Sequence, residues 1–126
     1  MIAGIGTDIV KISRMEESLD KLGDRFAKRI LSDEEMKEFS RSSSPAFFLA
    51  KRFAAKEATV KALGTGFSRG ISMKHVSVEH DEMGKPLIKL TQVAERIANE
   101  QEITQCHISI ADEREFAIAY VIMEKN

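Results

Sequence analysis

The chain has no apolar run approaching the ~20 residues that a bilayer-crossing helix needs, so no membrane span is expected. It has a single cysteine, Cys106, which excludes an internal disulfide. The amino-terminal stretch MIAGIGTDIVKISR has no basic leader and carries Asp8 in its middle. A reducing, cytoplasmic setting is therefore the expectation. Aromatic residues make up only 6% of the chain. Those in residues 45–70 are Phe47, Phe48, Phe53 and Phe67, and three of them fall in a helical pattern. That arrangement argues against nucleic acid, which stacks on strand-borne aromatics. There is no internal repeat, linker or low-complexity segment. At 126 residues the sequence reads as one domain, 1–126.

What is present is unevenly distributed charge. The net charge of −1 combines −2 over residues 1–38, +6 over residues 39–75 and −5 over residues 76–126. The middle third holds seven basic residues and one acid, Glu57. Such a positive field suits a phosphate-rich ligand, although a solvated basic face has the same composition.

Hydrophobic spacing sets out the elements. IAGIGTDIV at 2–10 reads as a strand, and 11–22 as a helix through Ile12, Met15 and Leu19 that ends at Gly23. A short helix follows at 24–31. Ser32 and Glu35 form a capping box for another helix over 33–40. After the polar RSSSP, Pro45 opens a long helix at 46–63. MKHVSVEH and LIKL read as strands around the DEMGKP turn. Thr91 is placed to cap a helix over 92–102. QCHISIA and EFAIAYVIM close the chain as strands around Asp112–Arg114. The expected fold class is α+β, a long central helix packed on an antiparallel sheet.

The long helix carries an acid and a base, Glu57 and Lys61, within its alanine sector, apart from Lys51, Arg52 and Lys56. Glu four residues ahead of Lys is also the ordinary orientation of a surface pair, contributing only ~0.3–0.5 kcal/mol. Among alanines, however, the pair does not lie on an evident solvated face. Charges withdrawn from water need a partner such as a metal ion or a polyphosphate. A second carboxylate, Asp8, shares strand parity with Gly4 and Gly6, whose bare face should stand open beside it. Asp8 is either a cap for the helix that begins near Lys11 or, with Glu57, half of a hard-cation site. Magnesium commonly takes one or two carboxylates plus phosphates and waters. The GTGFSRG segment after the helix supplies Gly64 as a helix terminator. It also offers amides, Ser68 and Arg69 for phosphate oxygens. No GK[ST] follows, so it is not a Walker loop.

Taken in order, GIGTDIV, FLAKRFAAKEATVKALGTG, GKP at 84–86 and CHISIADEREFAIAYVI resemble the holo-acyl-carrier-protein synthases, the short bacterial class of 4′-phosphopantetheinyl transferase. The F-x-x-K-E-A-x-x-K-A core at 53–62 is its most specific part. The resemblance implies transfer of the phosphopantetheine arm of coenzyme A to a serine of apo-acyl carrier protein, releasing adenosine 3′,5′-bisphosphate, in fatty acid biosynthesis. It implies Mg²⁺ held by Asp8 and Glu57, and Lys61 on the pyrophosphate. The proton acceptor stays open between Glu57 and a water on the ion. Arg52, Gly64, Gly66, Pro86 and His107 match positions that line the coenzyme A pocket. Arg14, Arg25 and Arg29 match positions that grip the acidic carrier protein, although Glu16, Glu17, Asp20 and Asp24 dilute the patch. A homotrimer with sites between neighbouring subunits is also implied. One departure from the family pattern is Ala111–Asp112, where many relatives carry a Ser/Thr–His pair.

Two other functions share these residues. A Mg²⁺-dependent hydrolase of a nucleotide diphosphate linkage would turn the same carboxylates on water. A non-catalytic coenzyme A-binding module would bind without turnover, and paired acids are superfluous for that task.

Overall fold

The first and last strands of the chain lie side by side, and the longest helix lies across them. The computed structural model describes all residues, 1–126. Strand β1 (Ile2–Lys11) pairs antiparallel with β5 (Phe116–Lys125), and β5 pairs antiparallel with β4 (Ile103–Asp112). The order β1-β5-β4 makes β5 the central strand. Its alternation is regular: Ala117, Ala119, Val121 and Met123 are buried on the inner face, while Ile118 and Tyr120 stand outside, as the period of two requires. A separate two-stranded sheet joins β2 (Val76–His80) to β3 (Pro86–Leu90).

Helices α1 (Ile12–Leu22), α2 (Asp24–Ile30) and α3 (Asp33–Ser40) follow β1 and precede α4 (Pro45–Leu63). A short helix α5 (Gln92–Glu100) leads into β4. Pro45 does sit in the first turn of α4, and Gly64 ends the helix in the left-handed conformation at φ 77°. Helix α4 has no clean polar face because it is enclosed on most sides. Ala54, Ala55, Ala58, Thr59 and Val60 are completely buried. The inner face of the β1-β5-β4 sheet packs against it, and helices α1, α2 and α3 pack on it as well. No helix is long and apolar enough to cross a membrane.

The expected capping box is present and does more than cap. The Ser32 hydroxyl accepts from the Glu35 amide at 3.3 Å, and Glu35 Oε1 accepts from the Ser32 amide at 2.9 Å. Glu35 itself is fully buried. Its Oε1 accepts from Lys56 Nζ at 2.6 Å, and its Oε2 from the Val78 amide at 3.0 Å and from Arg52 at 3.2 Å. Lys56 also donates to the carbonyls of Met73 and Val76. Burial pushes the Glu35 carboxyl up. The Lys56 charge and hydrogen bond, with the Ser32 and Val78 amides, outweigh it and hold the carboxyl below the usual range. One carboxylate therefore ties α3, α4 and β2 together.

Three expectations are corrected. Residues 73–75 form a single 3₁₀ turn, not strand, because the Ser72 hydroxyl and the His75 ring satisfy its open amides. Thr91 does not cap α5: its hydroxyl is drawn 3.4 Å from the His75 carbonyl, and Gln92 starts the helix at φ 53°. Helix α5 ends at Glu100, two residues early, because Glu102 turns left-handed at φ 62°.

Candidate active site

Strand alternation turns Gly4, Gly6, Asp8 and Val10 toward α4. Their face is not open, contrary to what the bare glycines suggested. A Cβ at Gly4 would meet the Ala62 carbonyl oxygen at 2.0 Å, and one at Gly6 the Ala58 carbonyl oxygen at 2.0 Å. The helix backbone fills the space that the missing side chains leave. Asp8 is not a helix cap either, since α1 begins after Lys11 with no side-chain cap.

Asp8 pairs instead across the strand–helix seam. Lys61 Nζ lies 3.1 Å from Asp8 Oδ1 and donates to the Thr7 carbonyl at 3.0 Å. The Lys61 side chain is 51% exposed and that of Asp8 16%. Glu57, one turn before Lys61, is half-buried and makes no ion pair. Partial burial, and then the Asp8 charge, push its carboxyl up, against a smaller pull from Lys61. Two acids close enough to repel, one of them poorly solvated, form a place where a cation is favoured. The pair fits a magnesium-type ion, which asks the protein for only one or two carboxylates. No cluster of three or more His, Cys, Asp or Glu side chains could hold a metal by itself. The remaining ligands would have to come from substrate and water.

Helical spacing misjudged which charges are enclosed. Glu57 and Lys61 lie on the least buried strip of α4, whereas Lys56 is fully buried and Arg52 nearly so. Arg52 is therefore not free for a ligand. Its guanidinium is bonded to Glu35 at 3.2 Å and Glu38 at 3.0 Å, and lies 4.3 Å from the centre of the Phe48 ring. The expected positive field shrinks accordingly, because Arg52 and Lys56 spend their charge internally. A basic pair four residues apart, Arg52 and Lys56, with the acids Glu35 and Glu38 on α3 to meet it, was the available signal.

The other expected residues are dispersed. The Gly64 amide closes α4 on the Lys61 carbonyl at 3.0 Å, and the Thr65 and Gly66 amides do so on Val60 at 3.2 Å. Those donors are not offered to phosphate. The amides of residues 67 to 70 make no backbone hydrogen bond, and they are the ones the loop presents. Pro86 opens β3, paired with His80 in the smaller sheet. His107 lies on the outer face of β4, opposite in parity to Asp8, with Nε2 2.5 Å from Glu124 Oε1. Arg14, Arg25 and Arg29 are exposed on α1 and α2 without ion pairs.

The outer face of the large sheet is apolar and open. Ile5 is 57% exposed, Ile9 60%, Ile118 42% and Tyr120 48%. The register sets Ile5 opposite Ile122, Thr7 opposite Tyr120 and Ile9 opposite Ile118, so these residues form one continuous patch. Exposed apolar patches mark protein, membrane or ligand contacts.

Comparison with known proteins gives the same neighbourhood throughout. A family profile described as the 4′-phosphopantetheinyl transferase superfamily matches residues 4–121. The chain is 50% identical over 125 residues to a holo-[acyl-carrier-protein] synthase of Nitrosospira multiformis, spanning 99% of this chain and 100% of that one. Among solved structures, a holo-[acyl-carrier-protein] synthase from Neisseria meningitidis superposes with TM-score 0.94 at 42% identity, covering 99% and 100% of the two chains. One from Bacillus anthracis, in complex with coenzyme A (3′,5′-ADP), superposes with TM-score 0.83 at 38% identity, covering 100% and 99%.

Proposed function

The chain belongs to the holo-acyl-carrier-protein synthase family of the 4′-phosphopantetheinyl transferase superfamily, and on that premise we propose how its residues carry out the reaction. It transfers the 4′-phosphopantetheine arm of coenzyme A to a serine of apo-acyl carrier protein, a step that serves fatty acid biosynthesis. The serine oxygen bonds to the phosphorus that carries pantetheine as its proton passes to Glu57 or to water. The pyrophosphate P–O bond breaks, and adenosine 3′,5′-bisphosphate leaves with the bridging oxygen.

The observation that carries the residue assignment is the 3.1 Å contact between Lys61 Nζ and Asp8 Oδ1, with Glu57 one helical turn away. Asp8 and Glu57 would hold Mg²⁺, and the ion would supply positive charge against the developing phosphate charge. Lys61 is the mobile member: half-exposed, it swings from Asp8 to the pyrophosphate and stabilises the leaving phosphate. The unused amides of residues 67 to 70 orient phosphate oxygens at the end of α4. Arg52 acts from behind the site, clamping α4 to Glu35 and Glu38.

The chain assembles as a homotrimer through the outer sheet face. Burying Ile5, Ile9, Ile118 and Tyr120 removes apolar surface from water at roughly 25 cal/mol per Å². His107 stands on that same face, and with Pro86 it completes the coenzyme A pocket of a neighbouring copy. The exposed Arg14, Arg25 and Arg29 receive the acidic carrier.

Intact-mass analysis of apo-acyl carrier protein, after incubation with the chain, coenzyme A and Mg²⁺, tests the reaction. A gain of one phosphopantetheine supports it. Hydrolysis of coenzyme A at the same rate without carrier would overturn it in favour of a hydrolase.

A further inference from the structure

We propose that Gly6 is a positioning residue for the transfer centre: having no side chain, it seats α4 against β1 closely enough for Asp8 to share one site with Glu57 and Lys61. This rests on the function proposed above and extends it to a residue that touches neither substrate nor ion.

Glycine at this position is not required by the backbone. Gly6 is not among the glycines with positive φ, unlike Gly64, Gly66 and Gly84, so an L residue could adopt its conformation. The requirement comes from contact. A Cβ at Gly6 would lie 2.0 Å from the Ala58 carbonyl oxygen and 2.8 Å from the Ala62 amide nitrogen. Both are backbone atoms within a hydrogen-bonded helix, and neither can rotate aside as a side chain would. Ordinary contact begins near 3.4 Å, so any added carbon drives strand and helix apart by more than about 1 Å.

The contact adjoins the site residues in sequence. Ala58 follows Glu57, Ala62 follows Lys61, and Asp8 is the next inward position of β1 after Gly6. Moving the seam therefore moves Asp8 relative to Glu57 directly. Lys61 has a long stem and can follow. Asp8 has the shortest acidic side chain and cannot. A magnesium-type ion accepts ligands only near 2.0–2.1 Å, so it tolerates such a separation poorly. A misplacement of about 1 Å is enough to cost on the order of 10²-fold in rate.

The test compares wild type, Gly6→Ala, Asp8→Glu and Gly6→Ala/Asp8→Glu as full-length proteins. Wild type must transfer phosphopantetheine to the carrier; if it does not, the proposed function fails rather than the role of Gly6. Gly6→Ala should lower kcat by about 10²-fold. It should weaken calorimetric Mg²⁺ affinity by about 10-fold or more, with metal-free coenzyme A affinity little changed. The signature of distance is a change of sign. Asp8→Glu should reduce turnover in wild type, where the acid becomes too long, and raise it in the Gly6→Ala background, where the extra methylene spans the gap. Should Gly6→Ala fail to unfold cooperatively, the same comparison is made with Gly4→Ala, which meets α4 at the same 2.0 Å one pleat further from Asp8. Loss of activity in proportion to folded fraction, no reversal with Asp8→Glu, or failure of both glycine variants to fold would overturn the proposal.

Discussion

Lys61 takes its ion-pair partner from β1, Asp8 at 3.1 Å, and not from Glu57 one turn earlier on its own helix. A surface pair spaced by four residues would have been satisfied locally. The long-range choice leaves Glu57 without a cation and crowded by Asp8. Strand and helix thus meet at a seam with one base and two acids.

Glu57→Gln keeps the shape of the side chain and removes the charge. Turnover should fall by about 10²–10³, the usual cost of one electrostatic element, while far-UV circular dichroism and oligomeric state stay unchanged. Steady-state transfer assays at limiting Mg²⁺ check this, and near-normal turnover would reject Glu57 as a ligand.

Asp8→Asn should raise the Mg²⁺ concentration needed for half-maximal activity, and high Mg²⁺ should restore part of the rate. It also frees Lys61 from its partner. A loss that no Mg²⁺ level relieves would assign Asp8 a role beyond holding the ion.

The buried Glu35 predicts an acid limb in stability. Its folded-state pKa lies below the ordinary 4.5, so its contribution is present above about that pH and is lost as pH falls through the folded value. In Glu35→Gln the Lys56 ammonium is left enclosed without a counter-charge, a cost of about 3–5 kcal/mol. Thermal unfolding at neutral pH should therefore drop by roughly 10 °C or more. The difference from wild type should shrink below pH 4.5. An unchanged midpoint, or a gap that widens in acid, would contradict this account of the cluster.

Local patterns were the legible part. The inward parity of Asp8, the Ser32–Glu35 box and the Gly64 stop are each present in the fold, whereas the helical wheel enclosed Glu57 and Lys61 in place of Arg52 and Lys56. What escaped was long-range. Glu35 looked like a cap residue because its partners Arg52, Lys56 and Val78 are 17 to 43 positions away. For the same reason Arg52 looked available to a ligand. Gly4 and Gly6 looked like vacancies, since nothing local says that a helix backbone occupies their face. Thr91 failed as a cap because its hydroxyl turns to His75 on another element.

Arg14→Glu probes the carrier surface. The apparent KM for carrier protein should rise while that for coenzyme A stays little changed. The effect should fade with salt, because exposed charges are screened over ~10 Å at 0.1 M. Encounter should suffer more than kcat at saturating carrier. Kinetics with each substrate varied, at low and high salt, decide it. A loss confined to coenzyme A would place Arg14 with the nucleotide instead.

The central claim is that Asp8 and Glu57 hold one cation at the strand–helix seam. Electron paramagnetic resonance with Mn²⁺, a visible stand-in for Mg²⁺, measures this directly on coenzyme A-bound protein. Wild type and Arg14→Glu should bind Mn²⁺ in a single class of site, with Asp8→Asn and Glu57→Gln each weakening it by about 10-fold or more. Equal Mn²⁺ affinity in all four proteins would contradict the account.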